Sequence, residues 1–200
     1  MSHFDHVANE WDSAQKISLM AALSKKTIQK LNLNKKMDIL DFGCGTGLFG
    51  LEFEPFAKTL TGIDTSNGML EVMQEKSKGL KHVSVLNLDL QTDSMPSDLS
   101  FDLIISSMVF HHLDNPLSVL EKLSKSLLSG GTIAVVDLRE EDGSFHPDPS
   151  NMGVKHFGFS DEVIKAWAKE LDFTVEISTI NSLEKNEKIY EQFLAIFKKA

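Results

Sequence analysis

The sequence predicts an α/β fold: a seven-stranded sheet, mostly parallel, with helices on both faces and an antiparallel strand at its C-terminal end. Three observations predict it. Between residues 37 and 138, short apolar runs alternate with stretches of helical periodicity. The first of those runs ends in a cluster of glycines, as a strand feeding a ligand-binding turn does. The last two apolar runs are separated by a short polar turn at 184–187, which joins them as a hairpin.

Each element has its own justification. AQKISLMAALSKKTIQKL (14–31) carries apolar side chains at helical spacing. MDILDF (37–42) is short and apolar, a buried strand, and the helix-like LFGLEF follows the glycines. Strand TLTGID (59–64), helix NGMLEVMQEKSK (67–78) and strand VSVLNL (83–88) repeat the unit. After a polar loop come strand FDLIISS (101–107), helix PLSVLEKLSKSLL (116–128) and strand GGTIAVVDL (130–138), opened by a Gly-Gly turn. Residues 139–158, REEDGSFHPDPSNMGVKHFG, are irregular, and a loop of that length in a compact domain is usually functional or disordered. Helix SDEVIKAWAKEL (160–171) takes Ser160 as its N-cap, without a capping box because Val163 stands at the third position. The hairpin strands are FTVEISTI (173–180) and IYEQFLAIFKK (189–199).

The chain has 200 residues, a formal net charge of −9 and 42% hydrophobic residues, so one globular domain spanning 1–200 is expected. No apolar run reaches the ~18–20 residues that cross a bilayer. MSHFDHVANEWD has no basic patch followed by an apolar stretch, so a soluble cytoplasmic protein is the simplest reading. The single cysteine, Cys44, excludes an internal disulfide framework. The acidic balance disfavours bulk nucleic acid as a partner.

The glycine loop DFGCGTGLFG (41–50) carries the chemistry. Glycines let backbone approach a ligand, and a helix N-terminus offers N–H groups to an anion. Asp64 ends the next strand, where a carboxylate can accept from a ribose diol. Gly45, Gly47 and Gly50 spell G-x-G-x-x-G, with Asp64 near the distance of a ribose-binding acid, so a nicotinamide enzyme must be weighed. Three features oppose it. Gly43 precedes the match, so a dinucleotide register would start two residues late. Asp41 would repel a pyrophosphate and attract an ammonium. Asp89 supplies a third acid, suited to an adenine amine. A cationic sulfonium amino acid joined to adenosine suits three acids better than a dianion does.

These residues resemble the class I S-adenosylmethionine (SAM)-dependent methyltransferases, most closely the ubiquinone/menaquinone-biosynthesis-like small-molecule group of methyltransferase types 11 and 12. LDFGCGTG, GIDTSNGML, NLDL, FDLIISSMVFHHLDNP and LLSGGTIAVVDL resemble five family motifs in order. The resemblance implies a Rossmann-like sheet and SAM as cofactor. It implies that Gly43, Cys44, Gly45 and Gly47 hold the methionyl part, beside Asp41. Asp64 should accept from both ribose hydroxyls. Thr65 and Met69 should sit beside the adenine, with Asp89 and the Leu90 backbone meeting its amino group. Ser106, Ser107 and Met108 should line the floor under the sulfonium. FDHVANEWD resembles the family's lid segment, which makes residues 1–35 a helical lid in which Trp11 reaches the cofactor.

The acceptor is less determined. A small molecule is favoured over a protein, because 200 residues leave little room for a separate substrate-reading domain. Residues 139–158 should form the substrate side, with Phe4 and Trp11 at one end of the cover and Phe145, His146, His156, Phe157 and Phe159 at the other. His111, His146 and His156 are the candidate bases, none fixed by a motif. No metal is expected: His111 and His112 are adjacent, and neighbours on an extended segment point opposite ways. Cys44 has no visible partner base, so a nucleophilic role is disfavoured. Two alternatives stay open, a non-catalytic SAM-binding partner subunit and an NAD(P)-dependent reductase.

Overall fold

Seven strands form one sheet: β1 (Met37–Phe42), β2 (Ala57–Asp64), β3 (Val83–Asn87), β4 (Phe101–Ser107), β5 (Leu127–Leu138), β6 (Phe173–Lys185) and β7 (Lys188–Lys199). They lie in the order β3-β2-β1-β4-β5-β7-β6. The computed structural model describes residues 8–33, 35–185 and 187–199; Phe4, with the rest of residues 1–7, lies outside the described residues. β1 to β5 pair in parallel, whereas β7 runs antiparallel to both β5 and β6. The parallel register brings the C-terminal ends of β1, β2, β4 and β5 to one edge. The loops that leave those ends make the candidate site.

Strand residues alternate between two cores, because successive side chains leave opposite faces. On one face Ile39, Leu103, Ile105, Ala134, Val136, Leu194 and Ile196 meet Leu23 of helix α1 (Ala14–Leu31). On the other, Leu40, Phe42, Ile104, Ile133, Val135, Phe193 and Phe197 meet Leu120 and Leu123 of α3 (Pro116–Lys125) and Ile164 of α4 (Asp161–Glu170). Helix α2 (Asn67–Lys76) buries Leu70 and Met73 beside Cys44. Each helix starts where a side-chain oxygen can hold an orphan N–H: Ser13, Ser66, Asn115 and Ser160 accept from Lys16, Met69, Ser118 and Val163. The Ser160 cap expected from sequence is therefore present.

Three differences from the sequence reading stand out. The GLEF part of LFGLEF lies in a 3-10 helix, Gly50–Phe56, without a side-chain cap and with Pro55 inside it; a proline lacks the N–H that an α-helical turn needs. α3 stops at Lys125 and β5 already starts at Leu127, which pairs with Phe101 before a register shift brings Thr132 opposite Leu103. Gly130, with φ +74, sits inside that bulge. β6 runs on to Lys185, because polar 181–185 pairs with β7 along the sheet edge, where one side of the strand faces water. The 139–158 segment is irregular, tied to the β6–β7 hairpin by Ser144 to Tyr190 at 2.7 Å and Lys188 to Asp142 at 2.6 Å.

Candidate active site

The glycine loop is fastened to β2 through its backbone. The N–H groups of Gly43 and Cys44 both donate to the Ile63 carbonyl, at 2.8 and 3.0 Å. The Gly45 N–H donates to Asp64 Oδ2 and the Ser66 N–H to Oδ1, each at 2.9 Å. Gly47 closes the turn onto the Cys44 carbonyl at 2.9 Å. Gly43 has φ +68, and a Cβ there would lie 2.4 Å from Val109 Cγ2, so only glycine lets the loops after β1 and β4 touch.

Asp41 is the unusual group. It is 1% exposed, the Gly50 N–H donates to it, and its Oδ2 has no hydrogen-bond partner among the described residues. A Cβ on Gly50 would stand 2.0 Å from that oxygen. Burial, then the negative field of Asp64, pushes the Asp41 carboxyl up to about 8. A buried carboxyl in this state is a site for a cationic donor, as the ammonium of an amino-acid ligand would be. The same burial, with Asp41 and Asp64 nearby, raises the Cys44 thiol and keeps it from acting as a thiolate.

Asp64 organises its turn through both carboxylate oxygens. Thr65 beside it is exposed, and its carbonyl accepts from Asn87 at 3.0 Å. Met69 is buried in the first turn of α2. The residues after β3 and in β4 are placed as follows, and the expectation for Ser106 needs correction. Asp89 does not end β3, which stops at Asn87; it opens a turn in which it accepts from the Gln91 N–H at 2.9 Å. Leu90 has a buried side chain, and its carbonyl is taken by the Lys122 ammonium at 2.6 Å. Ser106 is fully buried and donates to the Phe42 carbonyl at 2.9 Å, so it ties β4 to β1 and lines no floor. Ser107 is half-buried against Met20 at 3.7 Å, and Met108, with φ +59, donates its N–H to Val136 at 2.8 Å.

The N-terminal segment does reach the loop, though through a residue the sequence reading missed. Thr46 donates to Asp12 Oδ1 at 2.6 Å, and Lys76 bridges Asp12 Oδ2 at 2.5 Å and the Thr46 carbonyl at 2.8 Å. No motif joins Asp12, Thr46 and Lys76. Trp11, the expected aromatic, has the Lys16 ammonium 3.1 Å from its ring centre. Lys122 of α3 was also missed; it holds the loop after β3 by the Leu90, Gln91 and Asp93 carbonyls.

The histidines are gathered, which the sequence reading did not expect. Phe110–His112 is a 3-10 turn and not an extended segment, so the His111 and His112 rings lie side by side, 4.1 Å between centroids. His146 from the 139–158 segment completes the group, 5.0 Å from His111. His111 is 1% exposed, its Nδ1 is 2.7 Å from Asp137 Oδ1, and its buried Nε2 has no hydrogen-bond partner among the described residues. Burial tends to raise the Asp137 carboxyl, but His111 and the N–H groups of Leu138 and His111 more than offset it and hold the group ionised. Burial, with His111 alongside, drives His112 and His146 down to about 4. His156 stands apart: its Nε2 is 2.9 Å from the Leu113 carbonyl, which fixes that nitrogen as a donor and removes it as a base. With Phe159 and Trp167 it lines a separate cleft of about 360 Å³. Phe159 is core, Phe157 is exposed, and Phe145 packs edge-on to Tyr190.

A methyltransferase domain family matches residues 40–135. An uncharacterized methyltransferase of Schizosaccharomyces pombe is 36% identical over 136 residues, covering 61% of this chain and 48% of that protein. A malonyl-[acyl-carrier protein] O-methyltransferase of Acetivibrio thermocellus is 30% identical over 135 residues, covering 66% and 46%. The chain thus spans about half the length of these curated relatives. A SAM-dependent methyltransferase structure from Aquifex aeolicus superposes with a TM-score of 0.73 over 98% of each chain at 21% identity, which shows a common fold. Among the described residues no helix is long and apolar enough to cross a membrane.

Proposed function

We propose that the protein is a SAM-dependent methyltransferase that moves a methyl group to a small organic acceptor held between the glycine loop and the 139–158 segment, a reading supported by the methyltransferase domain family that matches residues 40–135. The observation that carries the reading is Asp41 Oδ2, a buried acid oxygen without a partner beside a glycine loop. Protonated when the site is empty, it can ionise to pair with the ammonium of a methionyl group, a pairing that a pyrophosphate does not offer. When bound, SAM supplies a sulfonium methyl that an acceptor lone pair displaces in line, leaving a neutral thioether.

The protein's part is positional. Asp41 holds the ammonium, and in doing so gives up its own proton. Asp64, at the end of β2, accepts from the ribose hydroxyls. Asp89 and the segment around Leu90, clamped by Lys122, lie past the end of β3, where the base would rest. Asp12 and Lys76 hold the N-terminal segment over Thr46, which keeps water from the loop. His111, set by Asp137, and His146 face the acceptor end, because Val109, two residues before His111, touches Gly43. The test is a thermal shift with SAM, its demethylated product, NADH and NADPH, followed by a methyl-transfer screen on small acceptors. Stabilisation by SAM and its product is expected. A larger shift with a nicotinamide nucleotide overturns the reading.

A further inference from the structure

We propose that His111, His112 and His146 form a site for one divalent transition-metal ion, zinc by choice of ligands, whose open position binds the heteroatom of the acceptor. The proposal rests on the methyl-transfer reading for the acceptor, while the metal site stands on its own geometry. Each ring offers one nitrogen, and these nitrogens lie within 4.8 Å of one another. Around zinc, with Zn–N near ~2.0–2.1 Å in a tetrahedron, they need only converge to roughly 3.3 Å. His146 supplies that freedom, because it sits on an irregular segment and not on the sheet.

The surroundings are built for ligation. The His111 Nδ1–H is held by the buried Asp137 at 2.7 Å, which leaves the lone pair on Nε2. A carboxylate behind a histidine is the usual outer support of a zinc ligand, setting its tautomer and its basicity. His112 Nδ1 is 3.2 Å from the Gly153 carbonyl, which assigns that nitrogen its proton and puts the lone pair on Nε2. Ring packing alone is a weaker account. It leaves the buried His111 Nε2 without a hydrogen bond, a state that folded proteins rarely tolerate.

Three imidazoles and no first-sphere carboxylate suit zinc, cobalt, nickel or copper and not magnesium or calcium. Three protein ligands leave the fourth tetrahedral position open, as in catalytic zinc sites. An acceptor hydroxyl or thiol bound there would lose its proton to water more readily, so no side chain need act as base. The ion would also join the turn after β4 to the 139–158 segment.

Chelator-stripped full-length protein titrated with ZnSO4 by calorimetry, and with CoCl2 by visible absorption, tests the site. One equivalent of zinc is expected, with tetrahedral cobalt bands, and His146→Ala or His112→Ala should weaken uptake at least tenfold. His146 is half-buried, so His146→Ala should fold; its unfolding transition is recorded alongside. No stoichiometric uptake by the wild type, or equal uptake by both variants, overturns the proposal. A SAM titration of the same samples separates the two readings. SAM binding without metal uptake removes only the metal site; metal uptake without SAM binding keeps the site and removes the methyl-transfer reading.

Discussion

Replacing Asp41 by Asn should make the ligand-free protein more stable at high pH and a poorer binder of SAM. In the unfolded chain Asp41 titrates at its ordinary 3.8; in the folded chain burial and Asp64 push it up to about 8. Between those values the folded state binds a proton that the unfolded state lacks. Raising the pH through that window therefore removes stability, by at most about 1.4 kcal/mol per pH unit. The loss is absent below about pH 4, where both states are protonated, and complete above about pH 8. Asn takes up no proton and can keep the Gly50 N–H bond. Its Nδ2 would stand where Oδ2 has no partner, at a cost of roughly 1–3 kcal/mol that does not change with pH. The variant should therefore match or trail the wild type near pH 5, then gain on it by on the order of 2–4 kcal/mol by about pH 8. Urea unfolding of both proteins at the two pH values measures the difference. A difference that stays constant with pH would refute the burial argument. In calorimetry the same variant should lose roughly ten- to a hundredfold in SAM affinity, the size of one charge-assisted hydrogen bond.

Asp64→Asn should keep one bond to the turn and lower SAM affinity about tenfold; unchanged affinity would confine Asp64 to its bonds with Gly45 and Ser66. Gly50→Ala should destabilise by about 1–3 kcal/mol, because its Cβ would meet Asp41 Oδ2 at 2.0 Å. Asp41→Gly in the same chain should recover part of that loss, and additive effects in the cycle would show that the two sites do not touch. Asp12→Ala should speed amide exchange around Thr46 and Gly47, since it cuts both the Thr46 and Lys76 contacts. In hydrogen exchange, residues 139–158 should gain protection when SAM and acceptor are bound together; equal protection without them would make this segment a fixed wall.

Strands and helices were legible where local pattern and burial agree. MDILDF and FDLIISS match β1 and β4 to the residue, because both faces of a central strand are buried and each run is mainly apolar. The 181–185 half of β6 was not legible, since an edge strand with one wet face keeps polar residues. That Asp41, Asp64 and the glycines would meet at one turn was readable because position at a strand end follows from the local pattern. Ser106 misled because position at a strand end does not say which way a side chain points; its hydroxyl turned inward to Phe42. Asp12 with Lys76, and the gathered histidines, depend on contacts across 64 and about 35 residues of chain, which spacing does not encode. The adjacent histidines misled for a further reason: a single 3-10 turn reverses the geometry that an extended segment imposes.

The placement of β7 has a consequence for how the polypeptide is made. β6 reaches the sheet only through β7, which lies between it and β5. While residues 188–199 are still inside the ribosome, β5 therefore presents Ile133 to Leu138 as an open, apolar edge with no partner. The half-sheet of β1 to β5 can assemble around the glycine loop at that stage, but it waits with a sticky margin, the state in which nascent chains recruit chaperones or associate. Slowed translation just before residue 188 should therefore lower the soluble yield.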